Sequence, residues 1–355
     1  MQMVADDVAF VIGGDTHGAS HALAVLARAT GVVLAERSID ATAAGYRAAL
    51  GWARQTAPGV RVWALEGTGH YGAGLTRYLA AHGETVLEVT RAQRNRRRDG
   101  KHDRLDAVLA ARTAIANDKG IAAPRQGAER DAVRMLLVAR DSAVDARKQA
   151  LTQLRTLLVT LPDPLRAQLD RLPPGRLVAR ATSLRSRDRA TASMLHAIRS
   201  VARRVALLQR EAAQLERRLA DHLEQLAPQL LAEPGIGPIV ASRILVAFSH
   251  PGRIRSEAAF ARLAGIAPIP ASSGQNTGKH RLHRGGDRHL NSSLHTVIIC
   301  RLRLDPATHA YLQQTTARGK TQRDAIRLLK RYLARHIYRI LTNPPIQPIT
   351  IGPCS

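Results

Sequence analysis

Short apolar runs alternate with helical patterns through the first third of the chain. "VAFVIGGD", residues 8–15, reads as a buried strand that ends on Asp15. "SHALAVLA" and "GVVLAERSI" follow as two more strands. The "RATG" between them suits an antiparallel hairpin. Residues 41–55 then predict a helix, "VRVWALE" a strand ending on Glu66, residues 71–81 a helix, and "ETVLEVT" a strand. Residues 103–116 predict the closing helix. The resulting order, βββαβαβα, makes a sheet covered by helices.

The pattern changes after residue 125. Residues 131–159 are helix formers without glycine or proline. "LPDPLRAQLDRLPPGRL" then breaks the helix, because proline removes an amide donor and clashes with the preceding turn. A long second helix follows, in which Ile198, Val201, Val205, Leu208, Ala212, Leu215, Leu219 and Leu226 suggest a heptad seam. Such a seam fits a hairpin packing within one chain and a coiled coil between protomers equally well. "PGIGP" at 234–238 resembles the turn of a helix-hairpin-helix. A polar glycine-rich loop comes next, then a helix from about Arg288 and a basic amphipathic helix, "TQRDAIRLLKRYLARHIYRILT". The expected divisions are 1–125, 126–230, 231–345 and a tail, 346–355: an α/β domain followed by two helical ones.

Charge narrows the function. Lysine and arginine number 53 against 28 acids, a formal net charge of +25. Such an excess opposes compaction by self-repulsion, and a phosphate backbone is its usual counterpart. No apolar run approaches the roughly 20 residues of a membrane span. The start, "MQMVADDVAF", shows no signal-peptide pattern. The cysteines, Cys300 and Cys354, have no zinc-binding spacing. A cytoplasmic nucleic-acid-binding protein without membrane contact is the expectation.

Four acids stand out against this basic background. Asp15 and Glu66 end the first and fourth strands, which are central parallel neighbours in a ribonuclease-H-like sheet. Asp103 and Asp106 lie three apart at the start of the closing helix, on one of its faces. Singly, each has a plain reading as a turn residue, a loop acid or a complement to the helix dipole. Together they can converge, which is costly without a cation. Mg²⁺ (or Mn²⁺) favours such carboxylate oxygens. A pair of ions about 4 Å apart clamps the attacking and leaving oxygens of a phosphodiester. Arg94, Arg96, Arg97, Arg98 and Lys101, just ahead of the aspartates, suit phosphates.

"GGDTHG", "ALEGTGHYG" and "KHDRLDAVLAA", with "PGIGP", "LAGIAPIPASSG" and "GDRHLN" downstream, resemble the DEDD insertion-sequence transposases of family one-ten. Members of this family are also called bridge recombinases, and Piv-type DNA invertases are relatives. The resemblance implies a RuvC-like, RNase H-like N-terminal domain, a helical coiled-coil middle and a helical C-terminal transposase domain. It places a nucleophilic serine at Ser273 in "ASSGQ", where the adjacent Ser272 departs from the family pattern. Lys279, Arg281, Arg284 and Arg288 match its basic segment. It further implies DNA as substrate, a structured noncoding guide RNA, and a homo-oligomer, dimer or tetramer, in which the serine of one protomer meets the acids of another. A metal-dependent nuclease of the RuvC type, needing the acids and no serine, is the alternative enzyme. A decayed, purely nucleic-acid-binding transposase is the non-enzymatic one.

Overall fold

The computed structural model describes residues 7–89, 103–116, 122–270, 280–282 and 286–343. Its first elements are β1 (Phe10–Thr16), β2 (Ser20–Ala27), β3 (Val33–Asp40), α1 (Ala43–Thr56), β4 (Arg61–Leu65), α2 (Ala73–Ala81), β5 (Thr85–Glu88) and α3 (Asp103–Ala116). The strands form one sheet in the order β3-β2-β1-β4-β5. β1 pairs antiparallel with β2 and parallel with β4, so the expected adjacency of the first and fourth strands holds.

Both faces of this sheet are covered, which explains why β1 and β2 read as nearly continuous apolar runs. Side chains alternate across a strand. Val11, Ala22, Ala24, Val62 and Ala64 therefore meet α3 on one face. Ile12, Leu23, Val25, Trp63 and Leu65 meet α1 and α2 on the other. The α3 stripe is alanine: Ala107, Ala110, Ala111 and Ala114 are buried against the sheet. Small side chains on the helix and glycine on the strand bring the two backbones together. A Cβ built on Gly13 would lie 1.9 Å from the Ala107 carbonyl oxygen and 2.7 Å from the Ala111 nitrogen. Neither backbone atom can swing aside. Gly13→Ala is therefore expected to cost about 2–3 kcal/mol, the overpacking range for a rigid neighbour. Chemical denaturation should show this loss, whereas Gly31→Ala, where no atom lies within 4 Å, loses less and only through its positive φ.

The chain divides into two compact units, residues 1–131 with 247–355, and residues 132–246. The second is helical, built from α4 (Ala128–Leu158), α5 (Asp163–Ala167), α6 (Pro174–Ser183), α7 (Arg189–Leu226), α8 (Pro228–Leu231) and α9 (Pro238–Phe248). The remainder of the first comprises α10 (Glu257–Leu263), a hairpin of β6 (Pro268–Pro270) and β7 (His280–Leu282), α11 (Arg288–Leu304), α12 (Pro306–Ala317) and α13 (Gln322–Thr342). Proline at the first turns of α5, α6 and α12 starts helices where its missing N–H costs nothing.

The heptad seam of α7 is met at Ile198, Val205, Ala212 and Leu219 and differs at its other positions. Its buried positions are Leu195, Ile198, Ala202, Val205, Ala212, Leu219 and Leu223. Val201, Leu208, Leu215 and Leu226 are only half-buried beside them. Along its edge, arginines of α4 reach polar residues of α7. Gln209 accepts a hydrogen bond from Arg147, and Glu216 accepts one from Arg140 Nε at 2.8 Å. The seam thus joins α4 and α7 of one chain. Among the described residues no helix is long and apolar enough to cross a membrane.

Candidate active site

The carboxyl ends of β1 and β4 lie side by side. Gly14 and Leu65 are register partners, and the Glu66 N–H extends the ladder with a 3.0 Å bond to the Gly14 carbonyl. Asp15 and Glu66 therefore occupy neighbouring strand ends. Alternation from Val11 through Gly13 puts Asp15 on the face that α3 covers. Asp15 is 5% exposed, and so is Asp106 on α3, the residue before the Ala107 carbonyl that touches Gly13. Glu66 is half-buried. Position 103 begins α3, one turn before Ala107.

The loop after β4 fixes Glu66. Thr16 Oγ1 donates to the Glu66 carbonyl at 2.9 Å, tying the end of β1 to the start of the loop. Gly67, at φ +65°, makes a left-handed turn that lets its carbonyl accept from the N–H groups of His70 and Gly72. A Cβ on Gly72 would press on Thr16 Cγ2 at 3.0 Å. The loop is thus closed down against Thr16, next to Asp15.

Two histidines flank Asp15. His17 Nε2 lies 3.1 Å from Asp15 Oδ2. The His17 N–H donates to His21 Nδ1 at 3.3 Å, so neutral His21 carries its proton on Nε2. His21 is fully buried and stacks parallel on Tyr46, ring centroids 5.9 Å apart. Burial pushes its pKa below the ordinary 6.5, over an opposing hydrogen bond at Ser20. His250 is lowered as well, by burial and then by Arg253. Both groups bind fewer protons folded than unfolded below pH 6.5. Their stabilising contribution is full above that pH and is lost as pH falls toward the folded values. Melting temperature should therefore drop between pH 7.5 and 5.5, and His21→Phe, which keeps the stack, should shrink that drop.

A buried ionic cluster fastens the residues beyond 246 to the sheet. Glu88, at the end of β5, receives Arg125 on one oxygen and Arg253 Nη2 on the other, the latter at 3.1 Å. Arg253 is 3% exposed, and its Nη1 donates to the Ala247 carbonyl at 3.0 Å. The Arg125 N–H donates to Thr68 Oγ1, so the cluster reaches the loop that follows Glu66. Gln126 and Ser249 exchange two further bonds of 3.2 and 3.3 Å. Burial pushes the Glu88 carboxyl up, but Arg125 and Arg253 outweigh it and hold the group below the usual carboxylate range.

The expected site residues fare differently. Asp15 and Glu66 are brought to adjacent strand ends, and Asp106 is buried on the helix packed over them. Asp103 lies in α3, its side chain outside the described residues. Ser273, Arg94, Arg96, Arg97, Arg98, Lys101, Lys279 and Arg284 lie outside the described residues, as does the side chain of Arg281 in β7. Arg288 is exposed at the first position of α11, whose N-cap Asp287 accepts from the Leu290 N–H. Among the described residues no three His, Cys, Asp or Glu side chains are gathered closely enough to hold a metal ion. The buried carboxylates on the α3 face nevertheless fit a hard cation in chemistry, since their donors are oxygens. Sequence reasoning passed over His17 and Thr16, although "DTH" sets both beside Asp15. It also passed over Glu88, whose partners lie 37 and 165 residues away.

Residues 12–161 match the model of a DEDD transposase domain, and residues 227–313 that of the transposase IS116/IS110/IS902 family. The chain is 30% identical over 118 residues to the insertion element IS110 uncharacterized 43.6 kDa protein of Streptomyces coelicolor, covering 33% of this chain and 29% of that protein. It is 28% identical over 134 residues to the insertion element IS900 uncharacterized 42 kDa protein of Mycobacterium paratuberculosis, covering 37% and 33%. The matched stretch thus spans a third or less of each relative. The two family models match separate parts of the chain, so it is similar to the DEDD transposases over its first part and to the IS116/IS110/IS902 transposases further along.

Proposed function

We propose that the chain is the DNA transposase of a mobile insertion element, a strand-cutting and strand-joining enzyme whose acidic centre is Asp15, Glu66, Asp103 and Asp106. The observation that carries this reading is the placement of Asp15 and Glu66 at adjacent parallel strand ends, under a helix that brings the buried Asp106 to the same face of the sheet. The strand order supports an RNase H-like, RuvC-like assignment of this domain. Bound there, Mg²⁺ or Mn²⁺ would supply Lewis-acid polarisation of the scissile phosphate.

In the proposed reaction the Ser273 hydroxyl attacks phosphorus, the Ser273–phosphate bond forms and the bond to the 3′ oxygen breaks. The serine proton is lost and the departing oxygen gains one. The phosphoserine keeps the bond energy of the phosphodiester, so a second 3′ hydroxyl can displace the serine and join without an outside energy source. The basic residues 94–101, with Lys279, Arg281, Arg284 and Arg288, would hold phosphates. The partners in this reading are element-end and target DNA, a noncoding guide RNA that carries sequence choice, and further copies of the chain in a dimer or tetramer.

Purified protein with DNA element ends, candidate RNA and Mg²⁺ tests the reading. Chelation should abolish strand exchange, and Mn²⁺ should restore it. Cleavage with no joining under any combination would favour the RuvC-type nuclease instead.

A further inference from the structure

Charge in the helical unit is sharply polarised. Residues 146–210 carry fourteen lysines and arginines against three acids, Asp163, Asp170 and Asp188. Residues 211–246 reverse the balance, with five acids against three arginines. Both segments belong to the same compact unit. The excess therefore lies on the last part of α4, on α5 and α6, and on the first half of α7.

On α7 the basic residues form one stripe. Arg189, His196, Arg199, Arg203 and Arg210 recur at helical spacing on the side opposite the buried Leu195, Ile198, Ala202 and Val205. From Arg189 to Arg210 the stripe runs about 31 Å at 1.5 Å per residue. His196, Arg199, Ser200 and Arg203 line a shallow depression of about 470 Å³. Arg199 is anchored by an Nη1 bond of 3.3 Å to the Leu184 carbonyl, which leaves its other nitrogens to face outward partners. Among the described residues no carboxylate pairs with Arg189, Arg199, Arg203 or Arg210. The acid-neutralised arginines of this unit lie at its other end, where Arg140 and Arg243 share Asp141.

We infer that this stripe is a docking surface for the phosphate backbone of duplex DNA. Unpaired arginines along about 31 Å match a helical turn of B-DNA, about 34 Å. Single strands are bound by combining such charge with aromatic stacking platforms. Residues 146–210 contain no Phe, Tyr or Trp, so the stripe can grip a backbone and has nothing to stack bases on. The choice of DNA over RNA rests on the proposed reaction. The binding itself does not, since it requires neither metal nor strand cleavage. The contact reads no sequence and serves to hold the duplex in position.

The test measures full-length protein binding to a 30-base-pair duplex across a salt series, without divalent metal. The comparison is a triple variant, Arg199→Gln, Arg203→Gln and Arg210→Gln. Glutamine keeps helix propensity, and circular dichroism checks that helix content is retained. The expected result is at least a tenfold loss of affinity near 0.1 M salt. The slope of log K against log salt should fall by about 2.7, at 0.9 per lost phosphate contact. Arg217→Gln with Arg218→Gln should leave both unchanged. The inference is overturned by an unchanged slope, by an equal loss in the control variant, or by an equal loss on a single strand of the same length. Tighter wild-type binding to duplex RNA, or a loss seen only with anionic phospholipid vesicles, would also overturn it.

Discussion

Asp15→Asn is expected to lower strand transfer by on the order of 10³-fold, comparable to removing one preorganised electrostatic element of an active centre. Asparagine keeps the size and one oxygen of the side chain and removes the charge. Asp15 lies at the last turn of the β1 ladder, on the face sealed by α3, and is nearly inaccessible. Its charge is costly there unless opposed, and His17 Nε2 lies 3.1 Å from its Oδ2. The substitution should therefore leave stability unchanged or raise it slightly while removing activity. That opposition of stability and rate is the signature of a charge kept for chemistry. Equal activity of Asp15→Asn and wild type, measured by product formed per hour from labelled element ends, would refute a catalytic role for the acid.

Glu88→Ala should be among the most destabilising single changes in the chain, at about 3–5 kcal/mol. The carboxylate sits between Arg125 and Arg253, and its removal leaves two guanidinium groups without their counter-ion, Arg253 almost completely buried. The same loss frees the segment 247–253 from the sheet and loosens the Thr68 loop that follows Glu66. Equilibrium denaturation in urea reads the first effect. Proteolytic nicking near 122–126 and 247–253 reads the second. Because Glu88 is held below the usual carboxylate range, its contribution is full above about pH 4.5 and is lost as pH falls through the folded value. Replacing Glu88 and Arg253 together by Leu and Met should recover much of the loss, since the buried charge disappears with its partner. A cost under about 1 kcal/mol for Glu88→Ala would place the cluster among ordinary surface pairs.

Much of the N-terminal sheet was legible because each strand is short, apolar and punctuated. "VAFVIGGD" and "VRVWALE" end where their acids begin, and the boundaries of α3 match the alanine-rich run from Asp103 to Ala116. The places of Asp15, Glu66 and Asp103 in the fold were legible for the same reason, since strand ends and a helix start are local features. The seam of α7 was not. Gln209 and Glu216 bond to arginines of α4 62 and 76 residues away, and no local pattern in the sequence shows such pairings. Meanwhile Val201, Leu208 and Leu215 keep a seven-residue spacing of their own one step around the helix. The β6–β7 hairpin was hidden too, because Pro268 and Pro270 read as loop. The Glu88 cluster was beyond reach for a simpler reason: its members share a site only after the chain has folded.

The central claim joins the acidic centre to a serine nucleophile, and trapping the covalent intermediate tests that join most directly. Protein, Mg²⁺, candidate RNA and end-labelled DNA are mixed, denatured and resolved by mass. The account predicts a denaturation-resistant adduct in which the DNA 5′ phosphate maps to Ser273. It should be absent in Ser273→Ala and in Asp15→Asn, and retained in Ser272→Ala. Free 5′-phosphate ends without any adduct, or a full yield of adduct from the Asp15→Asn protein, would contradict it.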